Sequence, residues 1–416
     1  MDKRKYLQSI FIALLLVGMI IPTSTARAGS SITVTTTSDE LNQDGDCSLR
    51  EAIVAANTDQ AVDACPAGNG EDTIYLPDGT YRLTRTGSGE DEAHTGDLDL
   101  TESVKIYGER IETTIVDGNE IDRVFHIPGA INVEFRNLTI QKGLVSGPSA
   151  AGRGGGIRVA QNAVVNIQNS LLQSNEAATY GGAIDNVSGI LTIVNSTFYD
   201  NKARDGAGIF NGGTLVIQRS LMYANEAAVY GGALDNNNRA TLSNTTISSN
   251  SAALDPQDPN GGGGIYNDGT ISLFYSTITN NSGVGIVNKG SSEFVSVLVS
   301  DNQDVNCTGT GAFLSQGFNL EDEDTCKFTQ SNDIVGRAAQ LDVLEDNGGP
   351  TMTHALLPNS PAIDASDSPD CPGTDQRGAI RPADGDRNGS KVCDIGAFEF
   401  NAAYNNIYMP FVLRNQ

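Results

Sequence analysis

The chain has 416 residues, 51 acidic and 26 basic side chains, a net charge of −25 and no tryptophan. This charge argues against nucleic acid or an anionic membrane as a partner, because both repel an acidic surface. It suits a soluble extracellular protein, in which clusters of carboxylates can also hold Ca²⁺.

Residues 1–28 have the features of a secretory signal peptide. A basic end at residues 3–5 precedes an apolar run at residues 10–21, and the sequence A-R-A at 26–28 has the spacing of a cleavage site. The apolar run is too short for a comfortable membrane span, and no later stretch is apolar enough to cross a bilayer. We therefore predict an exported protein without a transmembrane span once the signal is removed.

Six cysteines fall into three close pairs, which are Cys47 with Cys65, Cys307 with Cys326, and Cys371 with Cys393. Six cysteines allow fifteen connectivities, and the sequence alone does not choose among them. We predict nearest-neighbour disulfides, because each pair lies in its own segment outside the glycine-rich repeats of the chain. A zinc site is a weak alternative, since the chain has no C-x-x-C motif and its three histidines are scattered.

A short amphipathic helix is predicted to begin at Ser48 and to end near Asn57, within an N-terminal segment of residues 29–72. Ser48 and Glu51 have the spacing of a capping box. The open end of a stack of strands exposes unpaired backbone groups and an apolar mouth. We expect the helix to cover that mouth.

A glycine phrase recurs between residues 154 and 290, and each copy closes on an apolar residue. The closing residues are Ile157, Ile184, Ile209, Leu234, Ile265 and Ile286, which gives steps of 27, 25, 25, 31 and 21 residues. Short segments of alternating polarity lie between the glycines and predict strands. A repeat of this length is typical of a solenoid, propeller or array.

Two or three short strands in about 25 residues suit one coil of a parallel β-helix, with successive coils about 4.8 Å apart. A β-propeller is the competing interpretation, but its blades usually need about 40 residues or more. We predict an all-β fold whose main domain is a parallel β-helix of about nine or ten coils over residues 73–300.

Asparagine also recurs at two fixed places in the repeat. One set is Asn186, Asn211, Asn236, Asn267 and Asn288, and the other is Asn175, Asn201, Asn225, Asn250 and Asn281. An amide side chain both donates and accepts, so stacked asparagines can pass hydrogen bonds from coil to coil. The repeat therefore predicts two asparagine ladders inside the solenoid.

Three segments follow the repeats. Residues 301–340 interrupt them with two cysteines and an acidic run, and are expected to form a disulfide-closed loop or lid. Residues 341–400 form a further module, which should cover the C-terminal mouth. The tail, residues 401–416, contains an apolar strand candidate at 407–413 that is either a sorting tag or a docked edge strand.

Several motifs resemble families of secreted bacterial proteins. CSLREA at 47–52 and GDLDL at 96–100 resemble the CSLREA-type N-terminal domain, and the glycine phrases resemble the repeats of polymorphic outer membrane proteins. SPAID at 360–364 and CDIGAFE at 393–399 resemble the choice-of-anchor Q domain. The resemblance implies an exported, right-handed β-helix of the pectin lyase-like kind, often associated with the cell surface. It brings no catalytic residues to this chain.

The residue between each apolar closer and the next asparagine should face outward, because both of its neighbours face inward. These residues form an outer column of Arg158, Asp185, Phe210, Asp235, Tyr266 and Val287. With the side chains expected beside them they predict a candidate binding face, made of Tyr180, Asp185, Arg204, Asp205, Phe210, Tyr230, Asp235 and Tyr266. The alternative is a plain solvated face.

Asp185 and Asp235 are weak candidates for catalysis. Lying two coils apart, they would be separated by about 9.6 Å, twice the strand spacing. That is near the upper limit for the two carboxylates of an inverting glycosidase. The coils contain no Gly-His-Gly or Asp-Asp pair of the polygalacturonase kind.

A calcium site is a second candidate. The run Asp384-Gly385-Asp386-Arg387-Asn388-Gly389 matches the first half of a calcium loop. Asp394 lies one residue short of the expected final ligand, so the candidate ligands are Asp384, Asp386, Asn388 and Asp394. The alternative is an ordinary Asp/Gly turn, and no other cofactor is expected.

Three functions remain open from the sequence. The first is a non-catalytic, monomeric, secreted or cell-surface β-helix that presents a repeated outer face for adhesion or glycan binding. The second is an extracellular polysaccharide lyase or glycoside hydrolase. The third is a purely structural envelope protein without a discrete ligand.

Overall fold

The computed structural model describes residues 29–147, 152–253 and 261–404. The predicted signal peptide and the strand candidate at 407–413 lie outside these ranges. Within them the chain winds into one solenoid of four parallel sheets, preceded by helix α1, Leu49–Thr58. No helix in the described ranges is long and apolar enough to cross a bilayer.

Sheets 1 and 2 each have eleven strands. In spatial order, sheet 1 consists of β1 (Ser31–Thr33), β2 (Asp72–Leu76), β5 (Val104–Gly108), β8 (Asn132–Arg136), β12 (Val164–Gln168), β16 (Ile190–Val194), β20 (Thr214–Gln218), β24 (Arg239–Ser243), β28 (Thr270–Phe274), β31 (Ser291–Val295) and β34 (Ala312–Ser315). Sheet 2 consists of β3 (Gly79–Arg82), β6 (Thr114–Asp117), β9 (Thr139–Gln141), β13 (Leu171–Gln173), β17 (Thr197–Tyr199), β21 (Leu221–Tyr223), β25 (Thr246–Ser248), β29 (Thr277–Thr279), β32 (Leu298–Ser300), β35 (Leu320–Glu321) and β36 (Ile334–Val335).

Sheets 3 and 4 complete the coils. Sheet 3 consists of β10 (Leu144–Val145), β14 (Glu176–Tyr180), β18 (Lys202–Asp205), β22 (Glu226–Tyr230) and β26 (Ser251–Ala252). Sheet 4 consists of β4 (Leu98–Asp99), β7 (Phe125–Ile127), β11 (Ile157–Val159), β15 (Ile184–Asn186), β19 (Ile209–Asn211), β23 (Leu234–Asn236), β27 (Ile265–Asn267), β30 (Ile286–Asn288) and β33 (Cys307–Thr308). A separate antiparallel hairpin joins β37 (Leu341–Glu345) to β38 (Thr353–Leu356).

The predicted parallel β-helix is confirmed. Nine strands of sheet 1, β2 to β31, account for the nine or ten coils expected, and β1 and β34 extend the sheet at its two ends. The apolar closing residues stack inside and are fully buried: Ile157, Ile184, Ile209, Leu234, Ile265 and Ile286. Like residues of successive coils therefore lie directly over one another.

Both asparagine ladders are also confirmed. Along sheet 4, Nδ2 of each asparagine donates to Oδ1 of the next at 2.6–2.8 Å, from Asn186 to Asn288. The second ladder begins at Asn175 and continues through Asn281 to Asn302. All of these amides are buried within the coils, so each ladder satisfies polar groups that have no access to water.

The N-terminal helix has the predicted cap. The Ser48 side chain accepts from the backbone N–H of Glu51, and the Glu51 carboxylate accepts from the Ser48 backbone. Leu49, Ala52 and Ile53 are buried in the same core as the first coils. The helix therefore covers the apolar mouth at this end, as expected.

The three disulfides join nearest neighbours, as the spacing predicted: Cys47–Cys65, Cys307–Cys326 and Cys371–Cys393. The first ties α1 to the loop that leads into the first coil. The other two lie in the segments that follow the glycine repeats.

The disulfide predicted within residues 301–340 is present, but the expectation that this segment interrupts the repeat is wrong. Strands β33, β34 and β35 pair in parallel with β30, β31 and β32, so the winding continues through this segment. Cys307 is in register with Ile286 and takes the inward place of the apolar closer. Because it lacks the glycine phrase, this coil could not be recognised from the sequence. Phe328 then packs against Phe294, with ring centroids 5.1 Å apart, and closes the C-terminal end of the core.

The module of residues 341–400 was expected to cover the C-terminal mouth, and this expectation is also wrong. The module lies against the outer face of sheet 2. Thr246 Oγ1 donates to Gln376 at 2.6 Å, and the backbone N–H of Ala397 donates to Thr277 Oγ1 at 3.0 Å. The later strands of sheet 2 point such hydroxyls outward, which gives the module its hydrogen-bond partners. The mouth itself is closed by Phe328, in the segment between β35 and β36.

Candidate functional site

The predicted outer column lies beside a bend between sheets 3 and 4. Gly181, Gly206 and Gly231 make the bend with φ of 67°, 61° and 60°, a left-handed conformation that favours glycine. Because each bend is sharp, outward side chains at the end of a sheet 3 strand meet those of the following sheet 4 strand. We call this region the elbow, defined by Arg153, Tyr180, Asp185, Arg204, Asp205, Phe210, Tyr230, Asp235 and Tyr266.

The column has the predicted register, since Arg158, Asp185, Phe210, Asp235, Tyr266 and Val287 pair in that order along sheet 4. The prediction that it forms an exposed face is wrong. Asp185 is fully buried, and Asp235 and Tyr266 are 3% and 5% exposed. The rings of Tyr180 and Phe210 lie 4.5 Å apart and those of Tyr230 and Tyr266 lie 4.4 Å apart. The aromatic side chains therefore cover the column instead of presenting it.

Asp185 is held by arginine. Arg153 contacts both of its carboxylate oxygens at 2.8 Å, and Arg158 lies 3.8 Å away. Burial raises the pKa of Asp185, while the positive charge of Arg153 acts in the opposite direction. The Arg153 guanidinium also lies over the ring of Tyr180, at 4.6 Å from its centroid. This end of the elbow is a compact ion pair covered by rings.

Asp205 and Asp235 form the other end of the elbow and are less well compensated. Arg204 donates to Asp205 at 2.7 Å, yet burial raises the pKa of Asp205 to about 6. Asp235 accepts from the Asn237 amide at 3.1 Å, and its pKa is raised by burial first and by the charge of Asp205 second. Asp205 is thus the acid with the larger electrostatic effect on Asp235, and Asp268 raises its pKa in the same way. Asp185 and Asp235 lie two strands apart with Phe210 between them, as predicted, but both carboxyls are buried and do not face solvent as the proposed catalytic pair would.

A second site was not found from the sequence. A cleft of about 550 Å³ lies between the outer face of sheet 2 and the C-terminal module. Its floor is made of outward residues of β13, β17 and β21, namely Leu171, Gln173, Thr197, Tyr199, Leu221 and Tyr223. Its remaining lining residues are Ile111, Glu112, Asn169, Asn195, Asp346, Gly349, Pro350, Thr351, Met352 and Tyr404. We call it the tyrosine groove.

Aromatic, aliphatic and amide side chains line this groove. The rings of Tyr199 and Tyr223 stack with centroids 4.5 Å apart and planes inclined by 17°. Burial raises the pKa of Tyr223 to about 12, so its hydroxyl is neutral and can donate at physiological pH. Gln173 donates to Gln141 at 2.8 Å, and Asn195 donates to Asn169 at 3.1 Å. None of the described residues that line the groove is lysine or arginine.

One part of the tyrosine groove, its pair of stacked tyrosines, could have been predicted from the sequence. Tyr199 and Tyr223 each end the second strand of a coil and are paired in register, so aligning those strands would have stacked them. The wall contributed by Gly349 and Met352 had no such signal, because it depends on the module folding back along sheet 2.

The candidate calcium loop is only partly assembled as predicted. Carboxylate oxygens of Asp364, Asp384 and Asp386 lie within 4.8 Å of one another, and Asp364 takes the place expected for Asp394. Asp394 instead accepts from the backbone N–H of Asp364 at 2.7 Å. The Asn388 side chain donates to Asp386 at 2.9 Å. Calcium binding at this turn stays a prediction.

Comparison with known proteins bears on the fold. The family description "right handed beta helix region" matches residues 183–347, less than half of the chain, and supports the predicted handedness. The crystal structure of pectate lyase Pel9A is similar, with 14% identity, a TM-score of 0.48, and coverage of 89% of this chain and 96% of that chain. No curated protein matches the sequence. A likeness at this level carries no conclusion about activity.

Proposed function

We propose that the protein is an exported, non-catalytic β-helix that binds a glycan in the tyrosine groove, in a role such as adhesion. The main evidence for glycan binding is the stacked pair of Tyr199 and Tyr223 in a cleft of about 550 Å³. Ligand sites are usually concave, mostly apolar, about 300–1,000 Å³ in volume, and supplied with a few polar groups. The groove meets each of these criteria.

The chemistry of the groove suits a sugar ring. A pyranose has one face rich in C–H groups, which packs on the flat face of an aromatic ring, and hydroxyls around its edge. The tyrosine stack supplies the apolar surface, and side chains such as Gln173, Asn195 and Thr197 supply donors and acceptors for hydroxyls. These groups lie on neighbouring coils about 4.8 Å apart, so the floor repeats along the solenoid axis as a sugar chain does.

Charge narrows the class of glycan. Glu112 and Asp346 are the carboxylates among the lining residues, and the whole chain has a net charge of −25. A polyuronate or a sulfated glycan would be repelled at such a surface. The proposal is therefore for a neutral or amine-bearing glycan, present outside the cell, where the three disulfides are stable.

Replacing Tyr223 by alanine is expected to weaken glycan binding at least tenfold, because the stack loses its partly exposed ring. A glycan array with neutral, amine-bearing and acidic oligosaccharides identifies the ligand, and calorimetry then compares the variants. Tyr75→Ala is the matched control, since Tyr75 is 45% exposed on the outer face of sheet 1. Binding of no glycan at all would leave the purely structural role, and equal losses from the two variants would contradict the groove.

Polysaccharide cleavage at the elbow is a second candidate. It is favoured by Asp205 and Asp235, two neighbouring buried carboxyls whose pKa values are both raised, as a general acid requires. Its weakness is access, because Asp205 is only 2% exposed. Release of reducing ends or unsaturated products from a polysaccharide, abolished by Asp235→Asn and retained by Tyr223→Ala, would favour this candidate over binding alone.

A further inference from the structure

A third group of side chains converges on sheet 4, two strands before the Asp185 end of the elbow and away from the tyrosine groove. Asp91, Asp99 and His126 each bring one ligand atom into a space where all three atoms lie within 4.8 Å of one another. Asp99 and His126 are paired in register on β4 and β7 and point outward. Asp91 reaches them from the loop that precedes β4.

The spacing of these atoms matches one metal ion. His126 Nδ1 lies 3.0 Å from Asp99 Oδ1 and 3.3 Å from Asp91 Oδ1. A zinc ion binds nitrogen and carboxylate oxygen at about 2.0–2.2 Å. Two ligands at that length are about 2.8–3.6 Å apart when they subtend the angles of octahedral or tetrahedral coordination. The two distances from His126 Nδ1 fall in this range, and the Asp91 and Asp99 ligand atoms lie within 4.8 Å of each other.

A simple hydrogen bond explains this arrangement less well. Nδ1 carries at most one hydrogen, so it can donate fully to only one of the two carboxylates that approach it. The other oxygen of Asp99 already accepts from the backbone N–H of Ala93 at 3.1 Å. Two carboxylates that meet at one nitrogen repel each other, and a divalent cation placed among the three atoms removes that repulsion.

The three-residue site is held rigidly on one side and is open to solvent on the other. Asp99 is fully buried, the His126 side chain is 14% exposed, and the Asp91 side chain is 67% exposed. Two ligands are therefore fixed by the sheet, while the third faces solvent, where water can complete the coordination. Such an open position is found in sites that can exchange or use their metal.

Two arginines, Arg123 and Arg158, lie near the three ligands, and their positive charge would repel a bound cation. Arg158 follows His126 in register on the next strand, and Arg123 lies on β7's N-terminal side. Arg123 pairs with Asp97 at 2.6 Å, and Arg158 lies 3.8 Å from Asp185. Arg123 thus has a carboxylate partner of its own, while Arg158 shares Asp185 with Arg153 and also interacts electrostatically with Asp91. Asp122 adds a further negative charge close by.

We propose that Asp91, Asp99 and His126 form a binding site for one divalent transition-metal ion. An imidazole with two carboxylates is a borderline donor set, which suits zinc, manganese or a similar first-row ion better than calcium or magnesium. The site lies beside the N-terminal coils and does not depend on the glycan proposal.

The test uses the full mature chain, stripped with chelator and dialysed. Titration with Co²⁺ should give visible absorption bands that saturate at one equivalent, and calorimetry with Zn²⁺ should give the same stoichiometry. Asp91→Asn changes an exposed side chain, so the fold should persist, and binding should weaken at least tenfold. His94→Gln, an exposed histidine of the same loop, is the control and should bind as the wild type does.

Two results would overturn the proposal. One is a wild-type chain that takes up no stoichiometric Co²⁺ or Zn²⁺. The other is an Asp91→Asn chain that binds with the affinity of the wild type, which would place any bound ion at another site. His126→Gln, checked for folding by circular dichroism, gives an independent variant and should lose binding as well.

Discussion

Replacing Asn225 by alanine is expected to lower the free energy of unfolding by about 4 kcal/mol. Asn225 Nδ2 donates to Asn250 Oδ1 at 2.8 Å and to the carbonyl of Phe198 at 3.0 Å. Its Oδ1 accepts from both the backbone and the side chain of Asn201. Alanine leaves several of these buried groups unpaired, and each costs about 1–3 kcal/mol. Urea unfolding followed by circular dichroism measures the change.

Asn238→Ala is the matched control for this prediction. Asn238 lies on the turn after the other ladder, is exposed, and uses its side chain for one hydrogen bond of 3.2 Å to Gly212. Its loss should cost less than about 1 kcal/mol, because water can replace that bond. Similar effects from Asn225→Ala and Asn238→Ala would show that the ladder does not hold the coils together.

Asp185→Asn and Asp235→Asn are expected to change stability in opposite directions. Residues 175–186 and 225–236 match at ten of twelve positions, yet the coil beneath each differs. Arg153 is the strand neighbour of Tyr180, whereas Asp205 is the strand neighbour of Tyr230. Asp185 therefore lies beside the positive charge of Arg153, whereas Asp235 lies beside the acidic side chain of Asp205.

The raised pKa of Asp235 determines how its contribution to stability changes with pH. The folded-state pKa of Asp235 is raised above its unfolded value. The folded state thus binds its proton more tightly, and stability from this group falls as pH rises above about 4. We expect Asp235→Asn to stabilise the protein by about 2 kcal/mol at pH 8, where a buried charge is removed, and by little at pH 4.

Asp185→Asn is expected to destabilise the protein by about 3 kcal/mol at pH 8, since it leaves the Arg153 guanidinium without its bidentate partner. Thermal unfolding of both variants at pH 4, 6 and 8 measures the two effects together. Equal shifts of the same sign would show that the preceding coil does not set the electrostatics of the elbow.

Much of the fold could be predicted because the repeat encodes it directly. The apolar closers must be buried, the asparagines beside them must find partners in the next coil, and glycine is needed at each bend. These local requirements fix the register of sheet 4, which is why the column from Arg158 to Val287 was predicted in order. The capping box at Ser48 and the nearest-neighbour disulfides are local signals of the same kind.

What could not be predicted depends on contacts between distant segments. The coil at 301–340 lacks the glycine phrase, and Cys307 takes the place of the apolar closer. The packing of Gln376 and Ala397 on sheet 2 joins residues more than a hundred positions apart, and no pattern in the sequence indicates it. The tyrosine groove exists only because of that packing.

The elbow shows a different limit. Alternation correctly predicts which side chains point away from the core, but not whether other side chains cover them. Tyr180 and Tyr230 turn back over the column, so outward residues such as Asp185 and Asp235 become buried. The direction of each side chain could be predicted from the periodicity of the sequence. Its exposure could not, because exposure depends on the geometry of the bend at Gly181 and Gly231.

Glycan binding in the tyrosine groove is tested most directly by a crystal structure of the full chain with the oligosaccharide that binds best on the array. We expect a sugar ring packed against the Tyr199–Tyr223 stack, with its hydroxyls hydrogen-bonded to Gln173 or Asn195. A sugar bound at the elbow or on the outer face of sheet 1, with no electron density in the tyrosine groove, would contradict it.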